Sequence, residues 1–318
     1  MQGGKKMDID SRVYVAGHTG MIGSAIVRLL REKGYLHLIL KTHEELDLRN
    51  IHMTDELFSH EKPEYVFLVA AKMASITAIK NEPTEYFYDN SMIALNVIHA
   101  AIKYGVKRLI FISSSWVYPQ NARHPLREED ILTERFHEAY ESYALSKLCG
   151  MKYCEFASKQ YKKDFFSIIS TNVYGVGDNY DMARSHVIPG MIRRFHEAKM
   201  SGASKVLCWG NGMPIRDFMY SDDMADLCLF LMENGSLGNP MINVASGRQC
   251  SIKELADIIA AIVGYKGEIA WDETKPSGAP KLLFDCTLLA RMGWKSSVEL
   301  EEGICRSYKD FVDNWSKR

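Results

Sequence analysis

The sequence predicts an α/β protein built on a doubly wound parallel sheet, with a smaller C-terminal α/β cap beside it. Two observations carry this prediction: strand and helix patterns alternate through the first half, and a glycine turn joins the first strand to the first helix. Residues 12–16 are typical of a short buried strand, and residues 24–33 carry apolar side chains at helical spacing before Gly34 ends the helix. Such alternation favours right-handed crossovers, which place ligands at the carboxyl ends of the strands.

The alternation continues in order along the chain. Strands are predicted at residues 36–40, 65–70, 109–113 and 165–170, with long helices at 84–103 and 139–161. From about residue 171 come loops rich in glycine, asparagine and aspartate, then a helix at 186–199, a strand at 205–209 and a helix at 222–233. No linker rich in proline or serine separates the halves. We therefore predict two interleaved regions, 11–170 and 171–318, with the active site in the cleft between them.

Composition and charge exclude several classes of function. The chain has 318 residues, of which 47% are hydrophobic and 25% charged, so it can bury a large core. Its net charge of −1 and isoelectric point near 6.8 provide no basic field for nucleic acid or for an anionic membrane surface. No apolar run approaches the roughly 20 residues that span a bilayer. We expect a cytoplasmic protein in which residues 1–10 are a disordered leader or an expression remnant.

The seven cysteines are odd in number and scattered along the chain, and none forms a CxxC pair near histidines. This pattern is typical of reduced thiols. The sequence therefore predicts neither a metal site nor a disulfide.

The glycine turn predicts a dinucleotide site. Glycines between a strand and a helix let the backbone approach a pyrophosphate, and the helix N-terminus offers free N–H groups and a partial positive charge. Ala70-Ala71-Lys72 follows the third predicted strand at the same edge of the sheet. The candidate cofactor residues in these two segments are Gly17, Thr19, Gly20, Met21, Ile22, Gly23, Ala70, Ala71 and Lys72.

A candidate proton donor lies on the helix predicted at 139–161. Tyr143 and Lys147 are four residues apart and therefore share one helical face, where the ammonium lowers the cost of a phenolate. Ser114, at the end of the strand about thirty residues earlier, contributes a hydroxyl. Together these groups can polarise a ketone and protonate it as a hydride arrives.

The end of the second strand distinguishes the two nicotinamide cofactors. An acidic residue there binds the ribose hydroxyls of NAD, whereas a basic residue accommodates the 2'-phosphate of NADP. Lys41 comes first, followed by Thr42 and His43, and only then by Glu44, Glu45 and Asp47. The sequence favours NADP(H).

These residues together resemble the extended short-chain dehydrogenase/reductases, and more closely the GDP-L-fucose synthase branch, which acts on GDP-4-keto-6-deoxy sugars. The likeness runs from Arg12 to about Trp315. Besides the glycine turn, its specific segments are Ala70-Ala71-Lys72, Thr171-Asn172-Val173-Tyr174-Gly175, Ser185-His186-Val187-Ile188-Pro189, Arg193-Arg194-Phe195-His196-Glu197-Ala198, Trp209-Gly210-Asn211-Gly212 and Pro214-Ile215-Arg216-Asp217-Phe218.

The resemblance implies a Rossmann fold, a reduction triad of Ser114, Tyr143 and Lys147, and a nicotinamide cofactor that also contacts the last two. It implies a GDP-linked 4-keto-6-deoxy sugar as substrate and a homodimer formed through the helices at 84–103 and 139–161. The residues that it assigns to the GDP-sugar site are Asn172, Val187, Arg194, Trp209 and Arg216, with a looser match at Lys281. Chemistry agrees for the arginines, because a planar guanidinium binds pyrophosphate bidentately.

One departure from the family decides the expected chemistry. Fucose synthases epimerise carbons 3 and 5 of the sugar before reducing carbon 4, and the family assigns the epimerisation to a cysteine and a histidine. The histidine matches His186, but Trp116 occupies the cysteine position, and an indole N–H only donates. Either another residue replaces the cysteine, with His137, Glu138 and Glu141 as candidates, or the protein only reduces C4. We favour the second hypothesis, with His186 as an auxiliary or sugar-binding residue and Trp116 in the sugar pocket.

Two further alternatives are weaker. A 4,6-dehydratase on this fold needs acids directly after the triad hydroxyl, where Ser115 and Trp116 stand. A sensor or scaffold that binds NADP without turnover commonly loses the tyrosine or the lysine of the triad, and both are present.

Overall fold

A computed structural model describes residues 7–73, 76–236, 238–275 and 279–316. Its helices and strands are, in chain order, β1 (Val13–Ala16), α1 (Met21–Glu32), β2 (Leu38–Ile39), α2 (Ile51–Glu61), β3 (Tyr65–Leu68), α3 (Ile76–Asn81), α4 (Pro83–Lys103), β4 (Arg108–Ser114), α5 (Glu141–Tyr161), β5 (Asp164–Ser170), β6 (Asn172–Tyr174), α6 (Val187–Ser201), β7 (Lys205–Trp209), β8 (Ile215–Tyr220), α7 (Ser221–Asn234), β9 (Met241–Val244), β10 (Gln249–Ser251), α8 (Ile252–Val263), β11 (Glu268–Asp272), α9 (Thr287–Met292) and α10 (Leu300–Asp310). Short 3₁₀ turns at Ser115–Val117, Glu128–Asp130 and Glu138–Tyr140 lie between β4 and α5, and a π-helical turn at Phe311–Trp315 follows α10.

Six parallel strands form the central sheet in the order β2-β1-β3-β4-β5-β9. Successive side chains of a strand point to opposite faces. On β1, Tyr14 and Ala16 join one buried cluster with α4 and α5, whereas Val13 and Val15 join a second cluster with α1 and α7. Helices therefore cover both faces of the sheet, and the predicted doubly wound parallel fold is confirmed.

The C-terminal cap consists of two small sheets, β10-β8-β6 and β11-β7, packed with α6, α8 and α10 around a third buried cluster. The chain returns from the cap to the central sheet at β9, where Met241 pairs with Ser167 of β5. The second half of the chain thus supplies the sixth strand of the first region. The boundary at residue 170 stays a prediction.

Several details differ from the sequence prediction. The strand expected at residues 36–40 contains only Leu38–Ile39, because Leu36 lies at the surface with 79% of its area exposed. The strand β9 and the helix α2 were not predicted. The buried face of α2 is small, namely Thr54, Leu57 and Phe58, so its hydrophobic periodicity is weak.

The N-terminal expectation was wrong where the structure describes it. Residues 1–6 of the expected disordered leader lie outside the described residues. Met7 is only 3% exposed and packs into the second cluster, and the Tyr35 hydroxyl donates a hydrogen bond to its carbonyl.

Within the described ranges, no helix combines the length and apolar character needed to cross a bilayer. The same residues contain no group of three or more His, Cys, Asp or Glu side chains able to hold a metal ion.

Candidate active site

The glycine turn is shaped for close backbone approach. Gly17 has φ +88°, and a side chain there would lie 2.7 Å from the amide nitrogen of Ala70. A side chain on Gly23 would collide with the carbonyl of Gly17, so α1 can pack on the turn only with glycine at that position. Gly20 has ordinary backbone angles, and a side chain there would make an ordinary contact of 3.5 Å with the Gly17 carbonyl. Close packing therefore requires glycine at Gly17 and Gly23 but not at Gly20.

The first turn of α1 is ready to bind an anion. Its N-cap residue is Gly20, which has no side chain to satisfy the free N–H groups of the helix end. The backbone N–H groups of Met21, Ile22 and Gly23 therefore point out of the helix, where its dipole favours negative charge. Thr19 is exposed beside them. This cradle fits the pyrophosphate of a dinucleotide.

Lys41 comes two residues after β2, the strand that pairs with β1. Glu45 folds back in this turn, accepting a hydrogen bond from the Thr42 amide at 2.8 Å, while Thr42 Oγ1 accepts one from the Glu45 amide. Hydrogen bonds to the Glu45 carboxylate from the Thr42 amide and the Thr42 side chain are the main cause that lowers the pKa of Glu45, with smaller contributions from Lys41 and His18. The turn after Lys41 thus holds the Glu45 carboxylate in a hydrogen bond to its own backbone.

The segment after β3 is fixed from α4. The Ala70 amide donates to the Ala16 carbonyl at 2.9 Å, which joins the segment to the end of β1. Asn90 accepts from the Lys72 amide and donates to its carbonyl, at 2.8 and 3.0 Å. The Lys72 ammonium lies 3.3 Å from Asp89. The alanines and the backbone of Lys72 thus stay at the cofactor edge, while the Lys72 side chain is bound to α4.

The structure brings the three triad residues together. Ser114 ends β4, and its hydroxyl oxygen accepts a hydrogen bond from the Trp116 amide at 3.4 Å. The Lys147 ammonium donates to the Ile112 carbonyl on the same strand at 2.9 Å and lies 5.7 Å from the ring centre of Tyr143. The helix α5 packs so tightly on β4 that a side chain on Gly150 would lie 2.7 Å from the Phe111 ring.

Burial tunes the two titratable groups of the triad. Tyr143 and Lys147 are each only 4% exposed. Desolvation lowers the pKa of Lys147 to about 7 and raises the pKa of Tyr143 above its usual value. A phenol that keeps its proton at neutral pH is suited to donate it to a developing alkoxide.

A stack of rings borders the triad and contains a residue that the sequence prediction missed. The Trp116 ring meets the edge of Tyr143 with centroids 5.5 Å apart, and it stacks on Tyr140 at 4.8 Å with an interplanar angle of 26°. Tyr140 stacks in turn on His137 at 5.0 Å and 14°. Tyr140 precedes Tyr143 by three residues, which is nearly one helical turn. This spacing places the two rings on one face and could have identified Tyr140 from the sequence.

The predicted diphosphate arginines have no carboxylate partner in the described part of the chain. Arg194 Nη1 donates to the Leu207 carbonyl and Arg216 Nη1 to the Ile215 carbonyl, both at 2.9 Å. Burial lowers the pKa of the Arg216 guanidinium, while the neighbouring Tyr140 phenol acts in the opposite direction. Partly buried guanidinium groups that lack an acid are suited to bind an external anion.

The remaining predicted substrate residues surround these arginines at a more open surface. Asn172 on β6 donates to the Asp217 carbonyl at 3.3 Å, and Lys281 forms a backbone bridge with Ile215 while its side chain is exposed. Trp209 ends β7 with 61% of its surface exposed. Val187 is half-buried in the first turn of α6, the helix that also carries Arg194.

His186 is the N-cap residue of α6, but its side chain makes no capping hydrogen bond. The surrounding protein lowers its pKa by desolvation even though the residue keeps exposed surface. Of the other residues considered for proton transfer, Glu138 and Glu141 are exposed, and His137 Nδ1 accepts a hydrogen bond from the Ala139 amide at 3.1 Å.

The chain is similar over nearly its whole length to proteins of a known family. Residues 13–245 match the model of the NAD dependent epimerase/dehydratase family, a span that covers the glycine turn, the triad and β8. The chain belongs to this family. GDP-L-fucose synthase 1 of Arabidopsis thaliana is 43% identical over 311 residues, which is 98% of this chain and 96% of the relative. The predicted resemblance is therefore confirmed.

Two solved structures are closely similar to this one. A GDP-6-OMe-4-keto-L-xylo-heptose reductase from C. jejuni has a TM-score of 0.92 and 33% identity, covering 97% of this chain and 99% of the other. A GDP-mannoheptose C4 reductase from Campylobacter jejuni, solved with NADP bound, has a TM-score of 0.89 and 34% identity, covering 96% and 99%. The cofactor named in the second structure agrees with the predicted NADP(H).

Proposed function

We propose that this protein is an NADPH-dependent oxidoreductase that reduces the C4 ketone of a GDP-4-keto-6-deoxy sugar, a hexose or a heptose, without epimerising it. One observation carries the proposal. The Tyr143 and Lys147 pair is buried beside Ser114, while Trp116 fills the position of the epimerase cysteine with a ring packed against Tyr143.

Proton transfer in the proposed reaction follows from the triad. NADPH, when bound, supplies the hydride to C4 of the sugar. The Tyr143 phenol donates its proton to the ketone oxygen, and the Ser114 hydroxyl, free to rotate, donates a hydrogen bond to the same oxygen. Lys147, anchored on the Ile112 carbonyl, holds an N–H donor beside the phenol as negative charge develops. The site thus needs no metal ion.

Recognition of the GDP moiety is assigned to the cap. Arg194 and Arg216 offer the diphosphate guanidinium groups that no carboxylate in the described residues neutralises, and Trp209 presents an exposed ring for the base. Lys281 lies near Arg216 through the backbone bridge to Ile215. The names of the relatives, all GDP-sugar enzymes, support the same nucleotide.

The loss of epimerisation is argued from Trp116. Removing a proton from C3 or C5 needs a base beside each C–H bond, and an indole cannot act as one. Of the cysteine and histidine to which the family assigns epimerisation, only the histidine is present, as His186. The bifunctional epimerase and reductase remains the second candidate, favoured by the 43% identity to a GDP-L-fucose synthase.

A homodimer is proposed through α4 and α5. Leu145 and Phe156, eleven residues apart on α5, have exposed apolar side chains, as have Phe87 and Tyr88 on α4. Residues 11 apart return to nearly the same face of a helix, so α5 carries an apolar stripe suited to a second copy. We propose a cytoplasmic location because the reaction consumes NADPH.

Steady-state turnover tests the proposed function. NADPH oxidation is followed with GDP-4-keto-6-deoxymannose, with the matching dTDP-linked 4-keto sugar as nucleotide control and NADH as cofactor control. We expect consumption of NADPH with the GDP sugar at least about tenfold more efficient than in either control. No turnover with GDP-4-keto hexoses and heptoses would contradict the proposal.

A further inference from the structure

We propose that Tyr140 is a positioning residue for the sugar: as the middle ring of the stack His137, Tyr140 and Trp116, it holds the Trp116 indole as a fixed wall beside Tyr143. This inference rests on the proposed function and adds to it a residue outside the predicted site. It assigns to the wall a specific role, orienting the keto sugar toward the proton donor.

The stack is ordered and anchored at both ends. Tyr140 is nearly parallel to both neighbours, at 26° to Trp116 and 14° to His137, with centroid separations of 4.8 and 5.0 Å. His137 is held at the start of the 3₁₀ turn by the hydrogen bond from the Ala139 amide. At the other end, the Trp116 backbone amide donates to Ser114, and the Trp116 ring meets the Tyr143 ring edge-on at 5.5 Å. The indole thus lies between two rings, Tyr140 on its face and Tyr143 at its edge.

The stack also has a buried support. Tyr140 and Trp116 pack, half-buried, against a small cluster formed by Ile79, Tyr86 and Tyr143. The catalytic phenol is itself a member of this cluster, and it meets the Trp116 ring edge-on at 5.5 Å. Displacement of the wall would therefore open space directly beside the proton donor.

The position of Tyr140 links the two ends of the substrate. Its phenol is the neighbour that opposes the burial effect on the pKa of Arg216, which the proposed function assigns to the diphosphate. The sugar of a nucleotide sugar follows the diphosphate directly. A ligand held by Arg216 at one end and by Tyr143 at the other must pass the ring stack, where an aromatic surface can contact the C–H face of a sugar.

Two Tyr140 variants separate the ring from the hydroxyl. Tyr140→Phe keeps the stack, whereas Tyr140→Leu removes the aromatic face that supports Trp116. We expect the Leu variant to lose at least about tenfold in kcat for a GDP-4-keto-6-deoxy sugar, because small misplacements of a reacting group are costly. The kcat of the Phe variant should stay within about threefold of the parent value, because the ring alone supports Trp116.

Binding measurements exclude a general loss of structure. Dissociation constants for NADPH and for GDP should change less than about twofold in both variants, because both variants keep Arg216 and the glycine turn unchanged. GDP-fucose should bind the parent more tightly than GDP does, and the Leu variant should lose that difference. The Leu variant retaining parental kcat, or the Phe variant falling as far as the Leu variant, would overturn the proposal.

A second variant covers a failure of the Leu variant to fold. His137→Asn keeps a side-chain acceptor for the Ala139 amide and removes only the outer ring of the stack. We expect a loss of about threefold in kcat with unchanged NADPH binding, and an unchanged kcat would count against the proposal. Absence of turnover by the parent on every GDP-4-keto sugar would instead refute the proposed function, while the comparison of GDP with GDP-fucose would still test the wall.

Discussion

The two ends of the proposed substrate cleft differ in how completely they are formed. At the reduction end, Tyr143 and Lys147 are 4% exposed, and Lys147 is hydrogen-bonded to the strand that carries Ser114. At the nucleotide end, Trp209 is 61% exposed, Lys281 is exposed, and Arg194 and Arg216 donate to backbone carbonyls without a carboxylate partner among the described residues. The chemistry is preorganised, whereas we infer that recognition of the nucleotide is completed when the ligand binds.

The difference follows from where the residues originate. The triad lies on one strand end and one helix packed against each other in the core of the first region. The nucleotide end is collected from α6, β7, β8 and the loop before α9, and the cap sheets that hold these elements have only two or three strands. Substitutions at the reduction end should therefore act on kcat, and those at the nucleotide end on binding.

The largest effect is expected at the reduction end. Tyr143→Phe deletes the proton donor and little volume, so kcat should fall about 10²-fold or more. The dissociation constant of NADPH, measured by fluorescence titration, should stay nearly the same. A Phe variant that reduces substrate within a few-fold of the parent would show that another group donates the proton.

At the nucleotide end, Arg216→Gln should weaken binding of GDP about tenfold or more, because a charge-assisted hydrogen bond contributes roughly 1.5 to 3 kcal/mol. Arg216→Lys should restore only part of the loss, since an ammonium cannot bind two oxygens in parallel. Arg193 on α6, which is paired with Glu197, offers a matched control. Equal effects of Arg193→Gln and Arg216→Gln on GDP titrated by calorimetry would remove Arg216 from the site.

The smallest of these effects concerns the choice of cofactor. Lys41→Ala should raise the dissociation constant of NADPH roughly tenfold, through loss of a charged hydrogen bond to the 2'-phosphate, and leave NADH nearly unchanged. Lys33→Ala, at an exposed lysine after α1, serves as the control. Equal affinity of the parent protein for the two cofactors would contradict the assignment of Lys41.

Local spacing predicted the glycine turn between β1 and α1 and the shared face of Tyr143 and Lys147. A glycine turn between a strand and a helix, and a tyrosine four residues before a lysine, bring their groups together through the geometry of one turn or one helix. Contacts that cross the chain left weaker signals. The pairing of β9 with β5 depends on residues more than seventy positions apart, and the stack of Tyr140 on Trp116 depends on the loop between them.

The open residues at the nucleotide end were predicted only through the family resemblance. An exposed tryptophan or arginine on the cap is not part of a periodic hydrophobic pattern, so the sequence pattern does not identify it. Its role depends on a ligand rather than on packing. Trp116 was noticed as a departure from the family, yet its role as part of a ring stack follows only from the structure.

The central claim is reduction at C4 without proton exchange at C3 and C5. It is tested most directly by incubating the protein with GDP-4-keto-6-deoxymannose and NADPH in deuterated water and locating deuterium in the product by NMR. Trp116→Cys, which restores the family's thiol, is the matched variant in which exchange should rise. For the parent we predict protium at C4, delivered from NADPH, and deuterium at C3 and C5 far below one atom per turnover. Deuterium at both carbons in proportion to turnover would contradict the account and establish a bifunctional epimerase and reductase.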